Sequence, residues 1–278
     1  LRKIKRRGDL ERAGLLIESL AKHWRDSRPF ELLIVAPAWD AHLLRTSLPR
    51  FPNIDVSVRP ESDFFSPLSG FYQMTGWYRQ QIVKLQVPVL MGFQGYLTLD
   101  SDVCCVGDFD SRTFIMDRRG LSRWEPKRHH EWWRNVTDVV GSTYDAKGHG
   151  LSVTPNLVHA DLSAQVLDHM GKSWGGTLVS LMSWKLRRPV AVPWTEYSLY
   201  TSVAELKGNL FDYHVEWNTC YAADVHLFSE QSCVWGADDF ERDALAGALD
   251  GRVRRGRVHV HPRRRRGRLR AARHHASR

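Results

Sequence analysis

The chain has 278 residues, of which 42% are hydrophobic and 26% are charged, so it is long enough to bury a full core and has the balance of a globular protein. It contains no apolar run near the roughly 18 residues of a membrane span, and its basic start lacks the apolar stretch of a secretory signal. The four cysteines lack metal-ligand spacing. We therefore expect free thiols in a cytoplasmic protein.

The net charge of +9 comes from an arginine-rich tail at residues 251–278. This tail carries 12 of the 40 Lys and Arg residues and no acidic residue, so the remaining 28 basic residues face 31 acidic ones and the body has a net charge of −3. Self-repulsion predicts that the tail is disordered. Such a tail can bind nucleic acid or a membrane surface, but nothing in the body resembles a nucleic-acid module, and we expect no specific nucleic-acid partner.

The first half of the chain alternates helical and extended patterns. Apolar residues at helical spacing predict a first helix over Leu10–Trp24, with Asp9 as its N-cap. The alternation of helices and strands along this half predicts a parallel sheet with right-handed crossovers. Its first strand would have to lie within Leu1–Arg6, so we expect the chain to begin inside that strand or to lack part of it. The elements after the first helix are a strand at Glu31–Ala36, a helix at Asp40–Leu48, a strand at Ile54–Val58, a helix at Tyr78–Val87 stopped by Pro88, and a strand from Gly95.

The second half is richer in helical patterns. The predicted elements are a strand at Thr113–Met116, a helix at His129–Val136, an extended stretch at Leu151–Val158, helices at Asp161–Met170, Gly176–Leu186 and Thr195–Leu206, and a last strand at Asp224–Phe228. We expect one α/β domain over residues 1–250. Its sheet-building half (1–145) meets its helix-rich half (146–250) at the loop Asp145–Gly150.

The most informative stretch is Gly95–Asp102, where a buried-looking strand ends in two carboxylates one residue apart. Acids at the carboxyl end of a sheet strand lie where open α/β sheets bind ligands, and two of them can hold a divalent cation against a diphosphate. A pair of solvated turn acids is the alternative. The apolar residues Cys104, Cys105 and Val106 that follow favour function, because the acids then interrupt a buried run.

Four further segments carry polar side chains that can serve a site. Gln80 and Lys84 are four residues apart, so one ligand can reach both on one helix face, although a solvated face is equally compatible. Ser152–Asn156 can line a cleft or form a plain turn. Glu196 opens a predicted helix, where an acid also simply favours the helix dipole. His214 follows that helix and is a metal-ligand candidate or a structural histidine.

Together and in this order, these segments resemble nucleotide-sugar glycosyltransferases of the GT-A type. More specifically, they are similar to a poorly characterised bacterial family with the pattern Gly-Trp-x-x-Gln-Gln, Leu-Asp-Ser-Asp, Thr-Pro and Thr-Glu-Tyr-x-Leu-Tyr. The similarity runs from about Gly8 to Trp235, and the arginine-rich tail lies outside it. It implies a GT-A-like, Rossmann-like fold: a mostly parallel sheet flanked by helices, with a nucleotide-sugar half and a helix-rich acceptor half. The truncated first strand departs from the family's pattern.

The resemblance also implies site residues. Asp102 would bind Mn²⁺ or Mg²⁺ directly, and Asp100 would contact the metal through water or the ribose of the donor. His214 would be a third metal ligand, which would favour manganese, or a diphosphate contact. Glu196 would act as general base, which gives inversion, or only as an acceptor contact, which leaves retention possible, and inversion is slightly favoured. Catalysis would thus depend on Asp102 and Glu196. The donor, for which a UDP-sugar is favoured, would contact Asp9, Arg79, Gln80, Lys84, Asp100 and Ser101, and the hydroxyl acceptor, a small natural product or a cell-surface glycan, would contact Thr154, Pro155, Trp194 and Tyr197.

Three other function classes remain open, and one of them is a nucleic-acid binder that acts through the arginine-rich tail. A nucleotidyltransferase would use the same acids to hold metal against an α-phosphate, and a glycine-rich phosphate loop near the first strand would favour it. In this chain Gly8 stands alone there. A domain that binds nucleotide sugars without catalysis is the third alternative.

Overall fold

The computed structural model describes residues 2–66, 70–74, 76–151, 154–174, 194–222 and 225–230. The helix predicted at Gly176–Leu186 and the tail at 251–278 lie outside these ranges. Within them, no helix is both long and apolar enough to cross a membrane. The helices are α1 Arg2–His23, α2 Ala38–Ser47, α3 Gly76–Leu90, α4 Glu131–Val140, α5 Ala160–Trp174, α6 Glu196–Lys207 and α7 Leu210–Tyr213. The strands are β1 Phe30–Ala36, β2 Ile54–Pro60, β3 Gly95–Thr98, β4 Val103–Cys105, β5 Ile115–Met116, β6 Arg119–Ser122, β7 Trp124–Pro126, β8 His149–Leu151, β9 Asn156–His159, β10 His214–Glu216 and β11 Phe228–Glu230.

These strands pair in both directions. β1 and β2 are parallel, with Phe30 opposite Ile54, and β10 is parallel to β6. The ladders β3–β9, β4–β11, β5–β6 and β7–β8 are antiparallel. The predicted α/β class is confirmed. The predicted mostly parallel sheet is not, because four of these six ladders in the described residues are antiparallel.

The start of the chain differs from the prediction. The segment predicted as a first strand, Leu1–Arg6, is helical from Arg2 onward and continues into α1. Lys and Arg are good helix formers, and the segment runs without a break into the apolar helical face that buries Leu16, Ile17 and Leu20. Asp9 therefore lies inside the helix and is not its N-cap.

α3 continues two residues past Pro88, where the sequence predicted a stop. A proline has no N–H to donate to the carbonyl four residues earlier, and that carbonyl belongs to Lys84. The hydroxyl of Tyr96 in β3 donates to the Lys84 oxygen instead, at 2.8 Å, and the same hydroxyl lies 2.9 Å from Ser163 Oγ in α5. Pro88 thus leaves the Lys84 carbonyl available to Tyr96, and the Tyr96 hydroxyl links α3 to β3 and α5.

The two predicted halves interlock through their strands. β3 and β4 precede the predicted boundary, yet they pair with β9 and β11 that follow it. The strand predicted at Asp224–Phe228 forms later, with β11 beginning at Phe228, and the stretch predicted at Leu151–Val158 forms the ends of two strands, β8 and β9. The core divides into two main clusters on opposite faces of β1: Leu33 and Val35 contact one, and Phe30, Leu32 and Ile34 contact the other.

Gly150 in β8 is a test of this packing. An added Cβ there would lie 2.1 Å from the ring of buried Trp133, whose Nε1 donates to Glu125 Oε1 at 2.8 Å and cannot easily move. We expect Gly150→Ala to lower the free energy of unfolding by about 1–3 kcal/mol, as overpacking does. Gly14→Ala in α1 is the matched control, because its nearest atom is at 3.7 Å. Urea unfolding measures both, and equal stability of the two variants would contradict the prediction.

Candidate active site

The two acids follow β3 in a tight turn. β3 ends at Thr98, residues 101 and 102 form the turn, and β4 resumes at Val103 with all three of its residues buried. The acids therefore lie between the partly buried strand β3 and the buried strand β4, whereas Val106, which the sequence placed in the same buried run, is 37% exposed.

Lys84 connects Asp100 to the carboxylate of Glu196. Its Nζ lies 2.6 Å from Asp100 Oδ1 and 2.6 Å from Glu196 Oε1, and its side chain is 11% exposed. Gln80, one turn earlier on α3, donates to the same Oδ1 at 2.6 Å. The structure thus brings together four residues that the sequence proposed separately: Gln80, Lys84, Asp100 and Glu196.

The start of α6 fixes the position of Glu196. Thr195 caps the helix, with its Oγ1 accepting from the Ser198 N–H at 3.0 Å, and the Ser198 hydroxyl accepts from the Thr195 N–H at 2.9 Å. The Glu196 N–H donates to Gln81 Oε1 at 2.9 Å. The carboxylate therefore leaves the first helical turn toward Lys84 in a buried position.

Burial shifts the pKa values of this cluster. Burial by itself lowers the pKa of Lys84, but the negative charge of Glu196 and Asp100 nearby raises it overall, so the ammonium stays charged. Burial raises the pKa of Glu196, and the adjacent Lys84 opposes that shift without cancelling it. The carboxylates around Lys84 therefore keep its ammonium charged, whereas burial makes Glu196 easier to protonate than an exposed glutamate.

Asp102 is the second carboxylate of the turn. Burial, and then the charge of Asp100, raise its pKa above the ordinary value, while Arg12 in α1 and Lys84 oppose the shift. Three carboxylates thus stand close to one lysine and one arginine, an acid excess that a divalent cation would relieve.

The residues present fit such a cation in part. Asp102 and the second oxygen of Asp100 are hard ligands, since the contacts from Gln80 and Lys84 both use Oδ1. Among the described residues no group of three His, Cys, Asp or Glu side chains is arranged to hold a metal. The remaining ligands would therefore come from water or from a bound phosphate, as is usual for Mg²⁺.

Thr154 holds the end of β3. Its Oγ1 donates to the Thr98 carbonyl at 3.1 Å and accepts from the Asp100 N–H at 3.2 Å. Pro155, joined to it by a cis peptide bond, leads directly into β9. The predicted acceptor contact at Thr154 thus supports the backbone that carries Asp100.

We expect Thr154→Val to lower the free energy of unfolding by about 1–2 kcal/mol, because it removes two part-buried hydrogen bonds without changing side-chain size. Thr154→Ser keeps the hydroxyl and is the control. Urea unfolding distinguishes them: if the valine variant were as stable as the serine variant, the hydroxyl would not hold this turn.

Arg79 is paired with a residue that the sequence analysis missed. Its Nη1 donates to Glu61 Oε2 at 2.8 Å, and Glu61 is 6% exposed. Burial raises the pKa of Glu61, against the opposing charge of Arg79. The available signal was an acid directly after the strand that ends at Pro60.

This pair also relates the ends of two strands to one helix. Arg79 contacts Glu61, the residue directly after β2, while its neighbour Gln80 contacts Asp100, two residues after β3. The carboxyl ends of β2 and β3 therefore both approach the start of α3, and β1 pairs with β2 in parallel.

Two predicted acceptor contacts are buried. Trp194 is 1% exposed and lies in the core, so it cannot stack on a sugar in this arrangement. The Tyr197 hydroxyl is hydrogen-bonded to Thr98 Oγ1, and its ring lies 5.7 Å from Lys84 Nζ. Burial raises the pKa of Tyr197. Both aromatic side chains are therefore packed inside the protein and do not face a ligand.

His214 is not placed as a metal ligand. Its Nδ1 lies 3.0 Å from Ser122 Oγ and its Nε2 lies 2.9 Å from Tyr200 Oη, so both ring nitrogens are used. Burial, and then the neighbouring His159, lower its pKa to about 3. His159 pairs with Gly95 at the opposite end of β3 from the acids. Because both ring nitrogens are hydrogen-bonded in the core, His214 does not take the metal-ligand position predicted for it.

The other two predicted donor contacts lie at the surface. Asp9 is exposed and pairs with Arg12 Nη1 at 3.3 Å, so it reaches the site only through that arginine, whose charge acts on Asp102. Ser101 is exposed in the turn and lines a cavity of about 800 Å³. That cavity also contacts Glu61, Gln80 and Lys84, and it extends between β1 and β3.

Fold and site together define a mixed α/β protein in which a largely buried lysine joins two carboxylates, one of them after the carboxyl end of a strand, and lines a cavity. The chain matches a family of unknown function, DUF6492, over residues 1–248, and it belongs to that family. None of the curated proteins matches it.

Proposed function

We propose that this protein is a metal-dependent glycosyltransferase that moves a sugar from a nucleoside-diphosphate sugar, with a UDP-sugar favoured, to a hydroxyl acceptor. One observation carries the proposal: Lys84, which lines the cavity, contacts both Asp100 and Glu196, and the charges of Asp100, Lys84 and Arg12 act on Asp102 nearby. This excess of negative charge suits a cation, and a cation suits a diphosphate. The parallel pairing of β1 with β2, each followed or preceded by a helix, supports an α/β arrangement of this kind.

Asp102 and Asp100 are the residues that would hold Mn²⁺ or Mg²⁺, which would offset the charge of the leaving nucleoside diphosphate. Both supply carboxylate oxygens, ligands that either ion accepts. Because His214 lies in the core, it does not offer the imidazole ligand that would favour manganese. The proposal therefore covers both ions equally.

Lys84 and Gln80 are proposed to face the donor from α3. Lys84 stays charged, and both residues line the cavity mouth beside Ser101. Glu196 is bound to Lys84 and 5% exposed, so we propose that it orients Lys84; a role as general base would require it to release that lysine first. If Glu196 only orients, the inverting course no longer follows from it.

The test is a product assay on a panel of UDP- and GDP-sugars with Mn²⁺, Mg²⁺ or EDTA, read beside calorimetric binding of the same donors. Slow donor hydrolysis that releases nucleoside diphosphate only with metal is the expected result. Release of pyrophosphate from a nucleoside triphosphate would instead identify a nucleotidyltransferase. Metal-dependent binding with neither product would identify a binding domain, and no binding by any donor would reject the proposal.

One feature disfavours the nucleotidyltransferase alternative. β1 ends at Ala36 and α2 begins at Ala38, so only Pro37 connects them. A proline has no N–H to offer a phosphate, and the glycine-rich cradle that such enzymes use is absent from this described turn.

A further inference from the structure

The cavity has walls made of two strand edges. Six consecutive residues of β1, Phe30–Val35, line it, and so do the consecutive residues Gly95–Leu99 of β3 and the turn after it. A cavity on the face of a strand would contact alternate residues, because successive side chains point to opposite faces. Consecutive lining residues therefore mark an edge.

Both edges lack a strand partner within the described residues. β1 pairs with β2 along one edge, β3 pairs with β9 along one edge, and neither pairs with the other across the cavity. A single strand between them would have an unpaired strand edge on each side. Backbone groups along these edges need hydrogen-bond partners when water is excluded.

Helices close the cavity above and below. Leu16 and Ile17 of α1 line one side, and Val83 and Val87 of α3 line the other. These residues belong to the two core clusters that β1 also contacts on its two faces. A strand placed here would turn successive side chains into one cluster and then the other, and both are apolar.

The dimensions suit one strand. Six residues of strand extend about 20 Å, and one strand within a packed sheet fills roughly 4.8 Å by 10 Å in cross-section, or about 950 Å³ in all. The cavity volume is about 800 Å³. A fatty acyl chain would fill the same apolar space, but it has no donors or acceptors for the strand edges.

We propose that the slot between β1 and β3 is a docking site for an extended polypeptide segment of about six aliphatic residues, which joins the sheet by pairing with both edges. The occupant is a continuous apolar run, as in strands that are buried on both faces, and its hydrogen bonds come from the backbone. It would complete one sheet in the order β2, β1, added strand, β3, β9. The proposal does not depend on the glycosyltransferase assignment.

The test adds the soluble peptide Lys-Lys-Val-Ile-Val-Ile-Val-Lys to the full chain and measures hydrogen exchange and the melting temperature. We expect saturable binding, slower exchange of amides in Phe30–Val35 and Gly95–Thr98 and a higher melting temperature. A peptide with proline at alternate apolar positions cannot donate to a strand and is the control. Palmitate forms a second arm.

Three results would overturn the proposal: no protection of β1 and β3, equal protection by the proline peptide, or protection by palmitate but not by the strand peptide. A chain that binds the strand peptide but fails the product assay would retain this site and lose only the proposed function. Leu167→Ala, which removes a partly buried side chain on α5 outside the slot lining, shows whether general loss of stability alone changes exchange in β1.

Discussion

Replacing Lys84 by methionine is expected to lower the free energy of unfolding by about 3–5 kcal/mol at pH 8. The substitution keeps the length of the side chain but leaves Glu196 buried without a counter-charge, 2.6 Å from where the ammonium had been. Asp100 loses a contact at the same time. Urea unfolding of the purified variant measures the loss.

The pH dependence of that loss identifies its cause. Burial raises the pKa of Glu196, and without Lys84 nothing opposes burial from that side. Between the unfolded and folded pKa values, the folded state then binds more protons than the unfolded state, so the variant gains stability relative to the parent as the pH falls from 8 to 5. A loss of the same size at pH 5 and pH 8 would contradict this account.

Two further variants isolate the buried pair. Adding Glu196→Gln to Lys84→Met removes the stranded charge and should recover at least half of the lost stability. Lys172→Met breaks an exposed pair with Asp168 of similar distance, 2.7 Å, and should leave the unfolding curve unchanged. Failure of the double variant to recover would show that lost packing dominates.

Asp102→Asn is expected to abolish the response of the protein to metal and nucleotide. With saturating Mn²⁺ and UDP at about 100 times the dissociation constant, the parent gains about 2.7 kcal/mol, or roughly 5–10 °C in melting temperature. The amide keeps the shape of the side chain but not its charge, so this gain should disappear and turnover should fall at least about 100-fold. Differential scanning fluorimetry and the product assay measure the two effects.

The same variant should be at least as stable as the parent when metal is absent. The Asp102 carboxylate is half-buried and lies under the influence of Asp100, and both effects raise its pKa, so removing the charge relieves an unfavourable interaction. Asp168→Asn makes the same chemical change on the exposed face of α5 and is the control. An Asp102→Asn protein that still responded to Mn²⁺ and UDP would rule out Asp102 as a metal ligand.

These expectations share one physical basis. The cluster around Lys84 is held together by charges that are costly to bury, and its three carboxylates outnumber the two cations, Lys84 and Arg12, that act on them. Such an arrangement lowers the stability of the protein alone, and sites that bind charged ligands often show it. The thermal and urea measurements therefore report on the proposed site and not only on the fold.

The site residues that could be predicted are those whose role follows from their neighbours in the sequence. Asp100 and Asp102 stood out because polar residues interrupt an apolar strand, and Gln80 and Lys84 because a helix places residues four apart on one face. Glu61 was not predicted because a single acid after a strand is only a weak signal until its partner Arg79 is known. Trp194 and Tyr197 were assigned to the acceptor by resemblance, although their neighbours in space bury them.

By itself, the sequence determined the α/β class, most element positions in the first half of the chain, and the turn that carries the acids, because these depend on the spacing and propensity of neighbouring residues. Only the tertiary structure decided which charges meet, since Lys84 and Glu196 are 112 residues apart. It also decided that His214 belongs to the core and that a strand-wide slot separates β1 from β3. Those outcomes depend on which surfaces pack together, and no short stretch of chain encodes that choice.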